Sequence, residues 1–464
     1  MKKKNVLLIP PLTEQHTGIR NFGIPSLGVH RIACYLRSYG YNVDIYDCNL
    51  DGSFDEWSKD KNFDIIGISI LADTLFPSLI IIRILKVKYP FSLIVAGGIE
   101  TTLNYQEIIE KSPVDAVVLG EGEEPMLKIC EGIPLENIQG LVVKKPASPI
   151  TNEKLWEYWD KVDFRQMPYR KYWEYNRGLH EEESGETEPL VRLVTSSHCI
   201  KNCSFCSVKS WHQAACNKNV SPAFLSANQI GILLERIKEQ LPETKRIYFV
   251  EDDVLVTRKR GYELLPIFKK YPFKYLLQTS TPKITEDLVY KFAEANVVHI
   301  TFGVESASEY LRNQFRKPQS SEKIEKIIKW CKNANIHCYY LVILFPPATR
   351  IADLIISYET LSRWIKEGVT ISIEPVVMPY RGAPIWENEN HDTVYEIKNG
   401  FKQPLYLLPD DPETNMFTRI FLERWPKFKE KKMREDNQKH IFKGAIGSWY
   451  VELLGKMLKQ RGKI

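Results

Sequence analysis

Apolar residues in the first third of the chain fall in short continuous runs. Asn5-Val-Leu-Leu-Ile9 is closed by Pro10-Pro11, and residues 42–46, 64–70, 92–96 and 115–119 repeat the pattern. A strand that is apolar on both faces is buried on both faces, as in a parallel sheet covered by helices. Helical spacing fills the gaps. Between Ile24 and Tyr39, Leu27, Ile32 and Leu36 share one side and Arg31 and Arg37 another, with Gly40 as the stop. A further helix over 78–89 ends at Pro90. Residues 1–146 are therefore expected to form a doubly wound α/β domain, with its ligand beyond the carboxyl ends of the strands.

Residues 147–189 lose this regularity. Trp156, Trp159, Tyr169, Tyr172, Trp173 and Tyr175 crowd a stretch that closes on Glu181-Glu182-Glu183. It reads as a linker packing aromatic rings across a domain junction. A second alternation starts near Leu190, with strands over 191–195, 246–250, 275–279, 299–303, 337–342 and 370–374 and helices between them. Six βα-like units predict a barrel or partial barrel over 190–385, whose active site lies at the strands' C-terminal ends. Residues 386–464 read as a mostly helical C-terminal domain.

At 464 residues, 44% hydrophobic and 26% charged, the chain has the composition of a soluble protein of two or three domains. A net charge of +5 is weak for a dedicated nucleic-acid binder, and the basic stretch 427–464 is interspersed with acids, as on a solvated helical surface. The apolar run after Met1-Lys2-Lys3-Lys4 is too short and too rich in proline for a signal peptide. The densest apolar stretch, 79–94, is broken by Arg83, Lys86 and Lys88, so no membrane span is expected and a cytoplasmic location is.

Six of the nine cysteines, Cys34, Cys48, Cys130, Cys216, Cys331 and Cys338, lie outside any short metal-ligand spacing and read mostly as small core residues. Cys199, Cys203 and Cys206 are different. They are spaced C-x3-C-x2-C directly after the first strand of the second region. Iron–sulfur clusters are commonly held by four thiolates, so three on one loop leave one iron open to react. Zinc would need a fourth ligand, for which His198 and His212 are near, and Cys216 could instead close a cluster as its fourth thiolate. The polar Lys201, Asn202 and Ser204 between them argue against a chance cluster of core cysteines.

With Phe205 before the last cysteine, this spacing resembles the radical SAM superfamily signature. The resemblance implies a partial (βα)6 barrel and a [4Fe–4S] cluster on the three cysteines. It also implies S-adenosylmethionine chelated to the open iron through its amino and carboxylate groups. Reductive cleavage of that cofactor gives a 5′-deoxyadenosyl radical, with electrons from an external donor such as flavodoxin or ferredoxin. By place, Glu251 and Asp252, followed by Asp253, end the second strand near the methionine end, and Gln278 and Ser280 end the third. Gly303-Val-Glu305-Ser306 resembles the family's "GvEsgs" segment, which makes Glu305 a contact for the ribose or the methionine amine. Arg316, followed by Lys317, stands where a basic residue meets the cofactor's carboxylate. Leu344-Phe-Pro-Pro347 stands where relatives read G-x-P-G-E-T, and both glycines are missing.

A doubly wound domain ahead of such a barrel resembles the cobalamin-binding class of radical SAM enzymes. Pro25, Ser26 and Leu27 open the first helix, Ser69 lies near the end of the third strand, Gly97 and Gly98 follow the fourth, and Gly120, Glu121 and Gly122 follow the fifth. Glycines there let backbone approach a flat ligand closely. Glu100 stands where many relatives have histidine. No D-x-H-x-x-G is present, and His16 and His30 lack its context, so cobalamin is expected without a histidine ligand. No G-x-G-x-x-G follows the first strand, which weakens a dinucleotide reading.

The resemblance implies transfer of a methyl group from methylcobalamin to an unactivated carbon or a phosphinate phosphorus of a small-molecule or natural-product substrate. Two alternatives stand beside it: cyclisation or rearrangement without methyl transfer, and a non-enzymatic iron–sulfur or zinc protein. A methylthiotransferase would carry a second cysteine triad in the first domain. The substrate is expected between the two α/β mouths, with Tyr380-Arg-Gly-Ala-Pro384 as a wall.

Overall fold

The computed structural model describes residues 3–12, 24–141, 146–177, 188–386, 391–398, 401–435 and 443–464. His16 and the Glu181-Glu182-Glu183 run lie outside them. The first apolar runs form β1 (Asn5–Ile9), β2 (Asn42–Ile45), β3 (Ile65–Ser69), β4 (Leu93–Gly97) and the short β5 (Ala116–Val117), all parallel, in the order β2-β1-β3-β4-β5. Alternate side chains are buried on opposite faces. Val6 and Leu8 pack with Val29, Ala33 and Leu36 of helix Leu27–Ser38, while Leu7 and Ile9 pack with Leu75, Leu79 and Ile82 of helix Leu75–Lys88. Strand order reverses beside β1, which opens a crevice at the carboxyl ends of β1 and β3.

The second alternation forms β6 (Leu190–Leu193), β7 (Arg246–Phe249), β8 (Lys274–Thr279), β9 (Val297–Glu305), β10 (His337–Phe345) and β11 (Thr370–Val376), paired in sequence order and all parallel. Val191, Ile247, Leu277, Ile300, Tyr340 and Ile371 point outward into the large core made with the surrounding helices. The alternate residues face the concave side. This is the expected six-unit partial barrel.

Two regions depart from the sequence expectation. The aromatic stretch is not irregular: it forms helices Asn152–Asp160 and Tyr169–Arg177. Its rings do cross the junction, for Tyr158 joins the core of the first sheet while Trp159, Tyr169 and Trp173 join that of the barrel. Trp173 Nε1 donates to the Leu190 carbonyl at 3.0 Å, Tyr169 Oη to Arg192 at 3.4 Å and Trp159 Nε1 to the residue-194 carbonyl at 3.0 Å, which covers the free edge of β6. The C-terminal region is helical over Pro412–Glu435 and Lys443–Gln460 but opens with an antiparallel hairpin, β12 (Thr393–Lys398) and β13 (Phe401–Leu407). Phe401 is fully buried in the core of the first domain, a long-range contact that local pattern does not announce. Among the described residues no helix is long and apolar enough to cross a membrane.

The last helix lies against β11 so closely that a Cβ on Gly447 would sit 1.8 Å from the Ile371 carbonyl oxygen. Gly447→Ala is therefore expected to cost about 1–3 kcal/mol through overpacking. A lowered urea midpoint at unchanged m-value checks it.

Candidate functional site

The three cysteines lie on the loop between β6 and helix Val208–Cys216. Backbone bonds hold that loop from several sides. Ser204 N–H donates to Phe315 O at 3.0 Å, and Ile385 N–H donates to Ser204 O at 2.8 Å. The Phe205 ring meets Phe315 edge-on with centroids 5.0 Å apart, so the aromatic of the signature is an anchor. The Lys201 N–H already points at Cys199 Sγ, 3.5 Å away. Burial pushes all three thiols up, Cys206 to about 12. They stay protonated until a metal stabilises the thiolates, which suits a cluster site. Among the described residues no three His, Cys, Asp or Glu side chains converge as a single metal ion requires. His198 and His212 stack on each other at 4.1 Å, with ring nitrogens held at Val220 O and Ser197 O. Cys216 packs with Leu119 and Ala215 instead of facing the loop.

Polar side chains from the next three strand ends surround the cysteines. Glu251 accepts from the Thr195 N–H at 2.7 Å and from its hydroxyl, tying β7 to β6, while Glu251 Oε2 is buried without a partner. Lys201 donates to Asp253 at 2.6 Å and to the Ser280 hydroxyl, and Thr279 and Ser280 also donate to Asp253. Asp252 is exposed between these two buried neighbours. Its carboxyl is pushed up to about 6, first by the protein surrounding it and then by Glu251 and Asp253. Gln278 accepts from the Tyr248 hydroxyl at 3.2 Å.

On β9 a bulge between Gly303 and Glu305 and a left-handed Glu305 (φ 68°) aim that carboxylate at Lys317, 2.5 Å away. A Cβ on Gly303 would lie 2.5 Å from Lys317 Nζ and 2.6 Å from Glu305 Oε1, so the glycine is what leaves room for the pair. Burial pulls the Lys317 ammonium down, but Glu305 outweighs it and the net shift is upward. Arg316 is exposed, and Lys317 is the basic residue that reaches the site. In the sequence Lys201 is merely polar, and Arg381 is only one residue of the Tyr380-Arg-Gly-Ala-Pro384 wall. Nothing local links Lys201 to Asp253, and only the order of the strand ends could have suggested it.

In the first domain Ser69 pairs in register with Gly97 at the carboxyl edge. Gly98 takes φ 104° because a Cβ would lie 2.5 Å from the Ile70 carbonyl oxygen. Gly97 has nothing nearer than Val118 Cβ at 3.8 Å, which leaves the backbone open to a flat ligand. Pro25, Ser26 and Leu27 form the start of the first helix, where Ser26 is the N-cap. Gly120 approaches Ala215, Glu121 is held by Arg31 at 2.6 Å, and Gly122 lies against Ile32. Glu100 is buried and paired with Arg381 at 3.3 Å, and Arg381 also reaches Glu107 at 2.9 Å. Tyr380 lies within electrostatic reach of Asp73, Glu374 and Cys206; the protein around it first, and then Asp73 and Glu374, push its phenol up to about 12. The carboxyl edge of the first sheet thus faces the cluster side of the barrel.

Residues 193–354 match the Radical SAM superfamily, and residues 20–129 match the B12 binding domain. Fold and site together define a radical SAM enzyme carrying a B12-binding domain. The chain belongs to the cobalamin-binding radical SAM family, whose cofactors are a [4Fe–4S] cluster, S-adenosylmethionine and cobalamin. It is 22% identical over 379 residues to the cytidylyl-2-hydroxyethylphosphonate methyltransferase of Streptomyces wedmorensis, covering 69% of each chain. It is also 22% identical over 347 residues to the anaerobic magnesium-protoporphyrin IX monomethyl ester cyclase of Rubrivivax gelatinosus, covering 67% of this chain and 57% of that one. The fold is shared with TsrM from Kitasatospora setae, solved with cobalamin and a [4Fe–4S] cluster bound (TM-score 0.63, 13% identity, 82% and 77% covered). It is shared too with OxsB, solved with aqua-cobalamin and S-adenosylmethionine (0.66, 14%, 99% and 80%).

Burial raises the Glu100 carboxyl from 4.5 to about 7, despite Arg381. The folded state then holds that proton more tightly than the unfolded chain, so Glu100 lowers stability progressively as pH rises from 4.5 to about 7. Calorimetry of Glu100→Gln against the wild type is expected to show a smaller fall in Tm between pH 5 and pH 8.

Proposed function

We propose that this enzyme is a cobalamin-dependent radical SAM methyltransferase acting on a small-molecule substrate. The observation that carries the reading is the apposition of the two carboxyl-end faces. Gly120 meets Ala215 of the helix that follows the cysteine loop, Gly382 meets both Leu103 and Ser210, and Arg381 ties the barrel side to Glu100 and Glu107. A methyl carrier at one face and a radical source at the other would share one cleft.

When bound, the cluster would supply the electron for reductive cleavage of S-adenosylmethionine, and cobalamin would supply the methyl group. The chain's own part is to bind and orient. Cys199, Cys203 and Cys206 would hold the cluster, Glu305, Lys317, Asp252 and Ser280 would line the place of the adenosyl cofactor, and Ser69, Gly97 and Gly98 would offer backbone to the corrinoid. The Arg381 pairs with Glu100 and Glu107 tie the two faces together. Flavodoxin or ferredoxin fits as electron donor.

Two measurements test this. Anaerobic reconstitution with cobalamin is expected to give cluster and corrinoid absorption together, with Cys199→Ala, Cys203→Ala and Cys206→Ala each losing the cluster iron. Turnover is expected to yield S-adenosylhomocysteine as well as 5′-deoxyadenosine. A product with no added methyl mass and no S-adenosylhomocysteine would favour cyclisation or rearrangement, the class of the magnesium-protoporphyrin relative.

A further inference from the structure

The concave face of the barrel carries a charge without a partner. Arg192 shares that face with Tyr248, Leu276 and His299, which sit beside one another in register on β6 to β9. Among the described residues the Arg192 side chain makes no hydrogen bond or ion pair, and its Nε is buried and unsatisfied. The Tyr248 ring lies 5.7 Å from the guanidinium and offers it a face. Burial pulls the group down; only Tyr248 and Tyr169 act the other way, and no carboxylate contributes. The floor below is cationic as well. Arg246 and Lys274 share the single carboxylate of Glu188, at 2.6 Å and 3.1 Å. Above Arg192, Gln278 accepts from Tyr248 and keeps its amide N–H groups free for the lumen.

An unpaired guanidinium inside a barrel works against folding, since a buried charge is tolerated only where something compensates it. Its planar donor fork matches a carboxylate or a phosphate. The strand from Arg192 to Thr195 covers roughly 10 Å, so an anion held there would place the rest of a small molecule at the mouth beside the cysteines.

We infer that the barrel lumen holds an oxyanion of the substrate, a carboxylate or a phosphate, on Arg192 with Gln278 as a second donor. This names the substrate class for the site proposed above. A chain that binds the anion through Arg192 yet transfers no methyl group keeps this inference and loses that reading.

The test is thermal melting of the reconstituted chain in inorganic phosphate and in acetate, each against sodium chloride at equal ionic strength. One of the two oxyanions is expected to raise Tm, and which one identifies the group recognised. Arg192→Gln is expected to weaken that anion's affinity by roughly 10- to 100-fold, while its Tm in chloride stays at or above the wild-type value. Arg192→Lys keeps the charge but not the fork and is expected to fall between them; it carries the comparison if Arg192→Gln does not fold. A wild type that responds to neither anion, or variants that respond as the wild type does, would overturn the proposal. So would an Arg192→Gln chain that melts well below the wild type in chloride, since the arginine would then be structural.

Discussion

One ion pair grips the cysteine loop from the side of β7 and β8. Lys201 sits between Cys199 and Cys203 and reaches Asp253, whose side chain is only 2% exposed. Asp253 in turn takes hydrogen bonds from Thr279 and Ser280, so the ends of β7 and β8 both grip the loop through one carboxylate. Lys283 stands 3.9 Å from the same carboxylate, so Asp253 gathers two ammonium groups and two hydroxyls at one point. The loop's far side is fastened by backbone bonds to Phe315 and Ile385. The position of the three thiols therefore depends on the barrel being closed as far as β9 and on the segment after β11.

The same economy governs the two faces. Each α/β unit presents its reactive edge at the carboxyl ends of its strands, and neither edge would be useful alone. Helix Ile99–Leu103 packs against helix Val208–Cys216, and Arg381 spans from the barrel to two glutamates of the first domain. The hairpin β12–β13 adds a second strap: Phe401 is buried in the first domain and Leu407 bridges Val377. Orientation between the domains is thus fixed at the cleft by the Arg381 pairs and by Leu119 packing on Ala215 and Cys216, and away from it by the hairpin.

Much of this was legible in the sequence because parallel strands buried on both faces announce themselves as continuous apolar runs. The cysteine spacing named the loop and its place at a strand end. What stayed hidden depends on distance in sequence. Lys201 looks like any polar loop residue until Asp253 is brought to it, and Arg192 reads as an ordinary strand position until its neighbours prove to hold no carboxylate. The hairpin was missed because Phe401 is fixed by the first domain, far earlier in the chain. The aromatic stretch was read as irregular because its rings serve two cores at once, which blurs the single stripe that marks an amphipathic helix.

The aromatic helices that cover β6 carry one more consequence. They precede β6 in the chain, so a ribosome delivers the cover before the edge it protects. Their three donors meet alternate carbonyls of that strand, the row that another sheet would otherwise recruit. The barrel can then be laid down strand by strand from a finished margin, with its first edge never offered to a neighbouring molecule during synthesis.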